Sequence, residues 1–204
     1  MKVLDFEKTR KLLLKHKIPF PKTELATSKK QALFFAEKIG YPVVLKISLL
    51  VLHKTDVKGV ITGIKDRKEM EKAWEHIGRK EVLVQKMIKG KEIILGMKKD
   101  AQFGPVLMAG FGGIFVELFK DVSFRIAPVD EKQGLEMLKE LKSFPVLKGF
   151  RGDRGVNIKE IVRVIVNLSK LSLDKNIKEI DFNPLIVNEK KAFVVDAKII
   201  YERS

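Results

Sequence analysis

Alternation of polar and apolar residues marks two neighbouring strands near the end of the sequence. The two runs are Glu179–Val187 and Ala192–Lys198, and only the four residues Asn188–Lys191 separate them. Such alternation is typical of strands with one buried face, and the short separation predicts an antiparallel hairpin. If the turn is centred on its four residues, Asn183 faces Asp196 across the pair.

Opposed side chains in an antiparallel pair lie about 5 Å apart on one face. An amide and a carboxylate held in this way suit Mg²⁺, which takes one or two protein carboxylates and completes its shell with phosphate oxygens and water. The same register makes Asp181 face Lys198, so an ordinary edge hairpin with a surface ion pair fits the pattern equally well. The residues alone leave both interpretations open.

The rest of the chain alternates between helical and strand patterns. Apolar periodicity, capping residues and stop signals predict helices at about 5–17, 28–40, 66–77, 131–142 and 157–171. Strands are expected near 23–26, 43–48, 59–64, 82–88, 92–98, 106–109 and 123–127. Because the order lacks strict βαβ repetition, the predicted fold class is α+β (a mixed α/β content) in two lobes.

Composition restricts the class of protein. The chain of 204 residues is 45% hydrophobic and 33% charged, as in a soluble globular protein, and it contains no cysteine. No apolar run reaches the roughly 20 residues that a membrane helix needs, and no signal-peptide core is present. We therefore expect a cytoplasmic protein without membrane contact, and its abundant Lys and Glu suggest a thermophilic source.

Charge is unevenly distributed along the chain, whose formal net charge is +15. Residues 1–100 contain 24 Lys and Arg against 12 Asp and Glu. Such an excess fits nucleic acid, a polyphosphate ligand or an acidic protein as partner. The lysines are dispersed and only two Tyr and one Trp are available for base stacking, so nucleic acid is not the expected partner.

Several residues could carry chemistry, each with a simpler alternative. Lys46 stands in an apolar strand, where it could bind nucleotide phosphates or point to solvent. His53 lies in a polar loop and could accept a phosphoryl group, although most loop histidines do not. Gln85 and Glu92 could line a nucleotide pocket or form a polar edge. Gly110–Gly113 does not match a phosphate-binding loop and predicts a tight turn.

Taken in order, segments spread over residues 5–201 resemble the ATP-grasp β subunits of ADP-forming acetyl-CoA synthetases, which are related to the β subunit of succinyl-CoA synthetase. These segments are Gly40–Lys46, His53–Val57, Gly90–Met97, Asp100–Pro105, Gly110–Glu117, Asp121–Pro128 and the two hairpin strands.

The resemblance implies an ATP-grasp fold in which two lobes clamp a nucleotide. Residues 20–88 would form the small lobe, and 1–19 with 89–204 the large lobe that carries the metal-binding hairpin. The implied enzyme is an acid–thiol ligase that converts acyl-CoA, ADP and phosphate into acid, CoA and ATP.

The resemblance also assigns residues. His53 would be the phosphorylated catalytic residue, and Asn183 with Asp196 would bind Mg²⁺. The nucleotide ADP or ATP would contact Lys46, Gln85, Met87, Ile88 and Glu92. Asp181, Arg125 and Glu117, which lie in the matching segments, are secondary candidates.

A separate α subunit, with the CoA- and acyl-binding domains, is the implied partner, in an α2β2 heterotetramer. The alternatives are an ATP-grasp ligase that joins a carboxylate to an amine, which would not need His53, and a non-catalytic basic module that binds nucleic acid.

Overall fold

The computed structural model describes residues 1–47, 59–112, 121–149 and 154–202. Two of the predicted site residues, His53 and Glu117, lie outside these ranges. The chain divides into two compact units, of which one is Pro21–Ile88 and the other combines Met1–Phe20 with Lys89–Ser204. The expected lobe of residues 20–88 differs from the first unit by one residue.

The described helices and strands follow the predicted order. The helices are α1 (Phe6–Lys15), α2 (Lys29–Ile39), α3 (Arg67–Ile77), α4 (Glu131–Lys139), α5 (Phe144–Lys148) and α6 (Ile158–Leu171). The strands are β1 (Lys2–Val3), β2 (Thr23–Ala26), β3 (Val43–Ile47), β4 (Val60–Ile64), β5 (Val82–Lys86), β6 (Lys91–Asp100), β7 (Gly104–Phe111), β8 (Val122–Ile126), β9 (Ile177–Val187), β10 (Ala192–Val194) and β11 (Ala197–Tyr201).

Polar side chains fix where the helices begin. The side chains of Asp5, Asp66 and Asp130 each accept a hydrogen bond from a backbone N–H of the first turn, which would otherwise lack a partner. Ser28 caps α2 in the same way, because its hydroxyl accepts a hydrogen bond from the Gln31 N–H at 3.3 Å. The Gln31 side chain accepts from the N–H of Thr27, one residue before the cap.

The smaller unit is a four-stranded antiparallel sheet in the order β2-β5-β3-β4. Helices α2 and α3 cover one face of it, and their apolar side chains share a core with alternate residues of the strands, such as Val43, Leu45 and Val84. The opposite face carries the other residues of each strand, because side chains alternate along a strand.

The larger unit contains a seven-stranded sheet in the order β1-β11-β9-β6-β7-β8, with β10 also paired to β9. Its core joins one face of the sheet to α1, α4, α5 and α6. Leu95, Phe182 and Ile199 belong to this helix-covered face. The residues that alternate with them lie on the other side, which we call the open face.

Three details differ from the sequence-based expectation. Strand β7 runs through Gly110 and Phe111, where a tight turn was expected. Strand β1 and the short helix α5 were not predicted. Within the described residues, none of the helices is both long and apolar enough to pass through a membrane.

Candidate functional site

The C-terminal hairpin has the predicted register. Strand β10 pairs with β9 from Ala192↔Val187 onward, and β11 pairs with β9 through Lys198↔Asp181. The turn is closed by the Asn188 side chain, which accepts hydrogen bonds from the N–H groups of Lys190 and Lys191 at 2.9 and 3.0 Å. The prediction that Asp181 faces Lys198 is confirmed.

Asn183 and Asp196 occupy a short interruption of this hairpin. The ladder stops at Val194↔Leu185 and resumes at Ala197↔Phe182, so two residues of each strand lie between the ladders without a shift in register. On its other side, β9 slips by one residue against β6 at the same place. Such a bulge frees side chains from regular pairing and is a common feature beside active sites.

The carboxylates around this interruption repel one another. Burial raises the pKa of the Asp181 carboxyl, and the negative charges of Glu179 and Asp196 raise it further, whereas Lys198 lowers it. Within the described residues, no ion pair joins Asp181 to Lys198, although they are directly opposed. The repulsion that Glu179 and Asp196 exert on Asp181 is one that a bound divalent cation would relieve.

The donor atoms fit a small hard cation. Asn183 is exposed and offers an amide oxygen, while Asp196 is half-buried. One Asp196 oxygen accepts the N–H of Ala197 at 3.1 Å, which orients the carboxylate. The described part of the chain contains no cluster of three His, Asp or Glu residues that could enclose a metal. One carboxylate and one amide, with other positions open, match Mg²⁺, which keeps waters and substrate phosphates as ligands.

Glu92 lies on the same sheet, in β6, and is exposed. Its backbone carbonyl accepts the N–H of Gly112 at 2.8 Å. A Cβ at position 112 would come within 2.8 Å of the Glu92 Cβ, so only glycine permits this approach. Sequence reasoning missed the role of Gly112, since it considered the glycines only as a phosphate loop or a turn.

Lys46 and Gln85 share one face of the smaller sheet. Val44 is opposite Gln85, and Lys46 follows two residues along the same strand. Both polar residues are buried. The Gln85 side-chain amide donates to the Thr23 hydroxyl at 3.0 Å, and that hydroxyl donates to the Pro21 carbonyl at 2.9 Å. Thr23 therefore orients Gln85, and no sequence signal indicated this contact.

Met87 and Ile88 follow β5, which ends at Lys86 rather than at the expected Ile88. The Met87 N–H donates to the Pro42 carbonyl at 3.2 Å. The Lys86 ammonium donates to the Gly40 and Tyr41 carbonyls at 2.6 and 3.0 Å, so it is occupied at the end of α2.

Arg125 lies away from the metal-site candidates. It pairs with Leu107, a core residue, and so projects to the helix-covered side of the large sheet. There its guanidinium forms a bidentate ion pair with Glu140, at the end of α4. This pair lowers the pKa of the Glu140 carboxyl. This ion pair holds Arg125 on the helix-covered side, and its role as a secondary site residue stays a prediction.

The structure thus forms two groups of candidates, one in each unit. The larger unit brings together the hairpin residues and Glu92, which stand on the sheet strands β6, β9 and the segment before β11. The smaller unit brings together Lys46 and Gln85. His53 and Glu117 lie outside the described residues.

Comparison with known proteins identifies the family of the chain. A family model described as an ATP-grasp domain matches residues 1–200. The β subunit of ADP-forming acetate–CoA ligase II from Pyrococcus furiosus is 43% identical, over 97% of this chain and 91% of the relative.

Two solved structures of acetyl-coenzyme A synthetase 1 from Ca. Korarchaeum cryptofilum share the fold. A complex with coenzyme A and Ca-AMPCP has a TM-score of 0.94 at 38% identity, covering 98% of this chain and 94% of that chain. A complex with coenzyme A and Mg-AMPPCP, whose phosphohistidine segment points towards the nucleotide binding site, has a TM-score of 0.86 at 37% identity, covering 98% and 92%. The chain therefore belongs to the ATP-grasp family, among the β subunits of ADP-forming acetate–CoA ligases.

Proposed function

We propose that this chain binds Mg-ADP and converts it to ATP with a phosphoryl group delivered by a phosphohistidine. The overall reaction is acyl-CoA + ADP + phosphate to carboxylic acid + CoA + ATP. The observation that carries the proposal is the unchanged register on both sides of the hairpin interruption, which places Asn183 and Asp196 opposite each other, in a chain whose relatives are subunits of this ligase.

The chemical step is a transfer of one phosphoryl group. A terminal oxygen of ADP attacks the phosphorus and forms a P–O bond. The P–N bond to the imidazole breaks, its electron pair returns to the ring nitrogen, and the ring takes up one proton. Because the protein performs no covalent chemistry beyond the histidine, its contribution is to align the reactants and to neutralise charge.

Asn183 and Asp196 would hold Mg²⁺, which, when bound, neutralises the phosphate oxygens. Support comes from the donor atoms described above and from the Mg-AMPPCP complex of the structural relative. Glu92 would contact the nucleotide from β6, held in place by the backbone of Gly112.

The proposal assigns the remaining nucleotide contacts to the smaller unit. Lys46 would bind phosphate oxygens as a buried ammonium. Gln85, Met87 and Ile88 would contact the adenine side, with Gln85 fixed by Thr23. Lys46 is buried on a strand of this unit, and a bound phosphate would complement the charge of its ammonium.

His53 would be phosphorylated by a histidine of the separate α subunit and would then pass the group to ADP. The CoA- and acyl-binding domains would belong to that partner, in an α2β2 assembly. The phosphohistidine segment in the structural relative supports a relay of this kind. The preferred acid would be a small carboxylic acid such as acetate, after the relative from Pyrococcus furiosus.

The test is reconstitution of the chain with its α partner, followed by measurement of ATP formation from acetyl-CoA, ADP and phosphate. We expect activity that requires both chains and Mg²⁺, and incorporation of phosphate into this chain that His53→Ala removes. His76→Ala is the matched control, because His76 is an exposed histidine of α3 and should leave activity unchanged.

Two results would count against the proposal. Absence of nucleotide binding by the folded chain would remove the nucleotide site. Retention of ATP formation by His53→Ala would remove the relay through His53 and would favour an ATP-grasp ligase of another type.

A further inference from the structure

A row of three residues crosses the open face next to the candidate metal site. Gly96 on β6 is opposite Asp181 on β9, and Asp181 is opposite Lys198 on β11. Lys198 follows Asp196 by two residues, which corresponds to about 7 Å along a strand. The row therefore borders the Asn183–Asp196 pair within reach of a long side chain.

Lys198 supplies the positive charge of this row. It is half-buried, and within the described residues it forms no ion pair with a carboxylate. Its four-carbon stem lets the ammonium move across the row, and its three N–H groups can bind several oxygens at once. The opposed Asp181 partly offsets its charge without fixing its position.

Gly96 leaves the other end of the row without a side chain. Its backbone is buried between β9 and β7, and a Cβ at this position would make only ordinary contacts, at 3.5 Å to the Ile180 carbonyl and 3.6 Å to the end of Met108. The space beside Asp181 is therefore determined by the missing side chain of Gly96 and by the length of Lys198.

The charge of the reaction explains why a cation is useful at this position. A phosphoryl group in transfer carries negative charge on its three outer oxygens, in addition to the phosphates of ADP. A positive group that meets these oxygens only during transfer stabilises the transition state more than the bound nucleotide.

On this basis we propose that Lys198 is a further catalytic residue, whose ammonium binds the oxygens of the phosphoryl group while it passes from histidine to ADP. The inference rests on the proposed function. In this step the P–N bond breaks, the new P–O bond forms with an electron pair from ADP, and Lys198 keeps all its protons.

The test compares Lys198→Met with Lys98→Met in the reconstituted complex. Lys98 is the matched control, because it is an exposed lysine on the same face of β6, opposite Glu179 and one row farther from Asp196. Both variants lose one positive charge from the same sheet. The two measurements are the single-turnover rate of ATP formation from phosphorylated enzyme at saturating Mg-ADP, and the Kd of Mg-ADP.

We expect Lys198→Met to lower the transfer rate by about 10²-fold, the cost of losing one donor to the transition state, while the Kd of Mg-ADP changes less than about threefold. Lys98→Met should change neither quantity by more than about twofold. Lys198→Arg keeps the charge and should restore part of the rate. The melting temperature of each variant verifies that it is folded.

The outcomes separate this inference from the proposed function. If the wild-type complex forms no ATP, both the proposed function and the role of Lys198 are wrong. If wild-type complex is active and Lys198→Met transfers phosphoryl at the wild-type rate, only the role of Lys198 is removed. The inference would also be overturned if Lys198→Met slowed the transfer solely because Mg-ADP binds more weakly. An equal slowing of the transfer by Lys98→Met would overturn it as well.

Discussion

The polar residues of the two sheets differ in their burial and in their hydrogen bonding. On the smaller sheet, Lys46 and Gln85 are both buried, and the Gln85 amide donates a hydrogen bond to Thr23. On the larger sheet, Asn183 is exposed and Asp196 stands outside regular pairing, near other carboxylates. If the proposed function holds, the smaller unit provides a buried polar surface for recognition, while the larger unit provides ligand atoms and mutually repelling carboxylates.

The largest effect should come from Asp196→Ala. If the larger sheet provides the metal ligands, loss of this carboxylate should weaken Mg²⁺-dependent ADP binding by about 10²-fold or more, because the cation loses its charged protein ligand. Titration calorimetry with ADP, with and without Mg²⁺, measures the change.

Glu189→Gln is the control for this variant. Glu189 is an exposed carboxylate in the hairpin turn and pairs only with exposed Arg154 among the described residues. Equal losses in the two variants would show that general surface charge, rather than a metal ligand, controls binding, and the contrast between the sheets would not hold.

Gly112→Ala should produce the next largest effect. The added Cβ would have to displace Glu92, because it would lie 2.8 Å from that residue's Cβ and 3.0 Å from its carbonyl oxygen. Overpacking of this kind costs about 1–3 kcal/mol of unfolding free energy. We also expect weaker nucleotide binding, measured together with stability by chemical denaturation and ADP titration.

Gly96→Ala provides the control for stability. Its Cβ would meet atoms no closer than 3.5 Å, so it should cost much less unfolding free energy than Gly112→Ala. If Gly112→Ala were as stable as the wild-type chain and bound ADP with the wild-type affinity, the proposed support of Glu92 by Gly112 would be wrong.

Thr23→Val tests the smaller sheet. Valine keeps the shape of threonine but removes the hydroxyl, which leaves the buried Gln85 amide without this acceptor and the Pro21 carbonyl without this donor. The cost should be about 1–3 kcal/mol. Thr62→Val, at an exposed position of β4, is the control and should be almost neutral by thermal denaturation.

The hairpin register could be predicted because alternation and a four-residue turn together determine which residues face each other. The interruption was not predicted, although Pro184 signals it, because proline inside a strand occurs mainly at edges and bulges. It arises where β9 must satisfy two partners whose registers differ. Pro184 has no N–H to donate to the ladder. It is tolerated within this central strand because the bulge takes its position out of regular pairing.

Contacts between distant residues account for other features that the sequence did not indicate. Gln85 and Thr23 lie 62 positions apart, and only the pairing of β2 with β5 brings them together. Alternation places Arg125 on one side of β8 but does not say which side the helices cover. That depends on α4, whose final turn presents Glu140.

The smallest expected effect concerns Asp181→Asn. Its raised pKa means that the folded chain holds this proton more tightly than the unfolded chain, so the carboxyl lowers stability increasingly as pH rises from its ordinary pKa of 3.8 through the folded value. At pH 7 and without metal, the variant should be more stable, by roughly 0.5 kcal/mol.

Denaturation of both proteins between pH 4 and pH 7 measures this difference, which should shrink towards low pH. Added Mg²⁺ should reduce the advantage of Asp181→Asn at pH 7, because the cation offsets the repulsion. A variant less stable than wild type at pH 7 would show that the larger sheet does not accumulate unfavourable charge.

Asn188 closes the hairpin turn. The number of residues in this turn therefore determines which side chains face each other at the proposed metal site. Surface turns usually accept extra residues without harm. Here one added residue would shift the register of the whole second strand by one position. Asp196, the proposed cation ligand, would then exchange sides of the sheet with an apolar neighbour. Length variation among such enzymes should therefore be tolerated in many other loops but selected against at this bend.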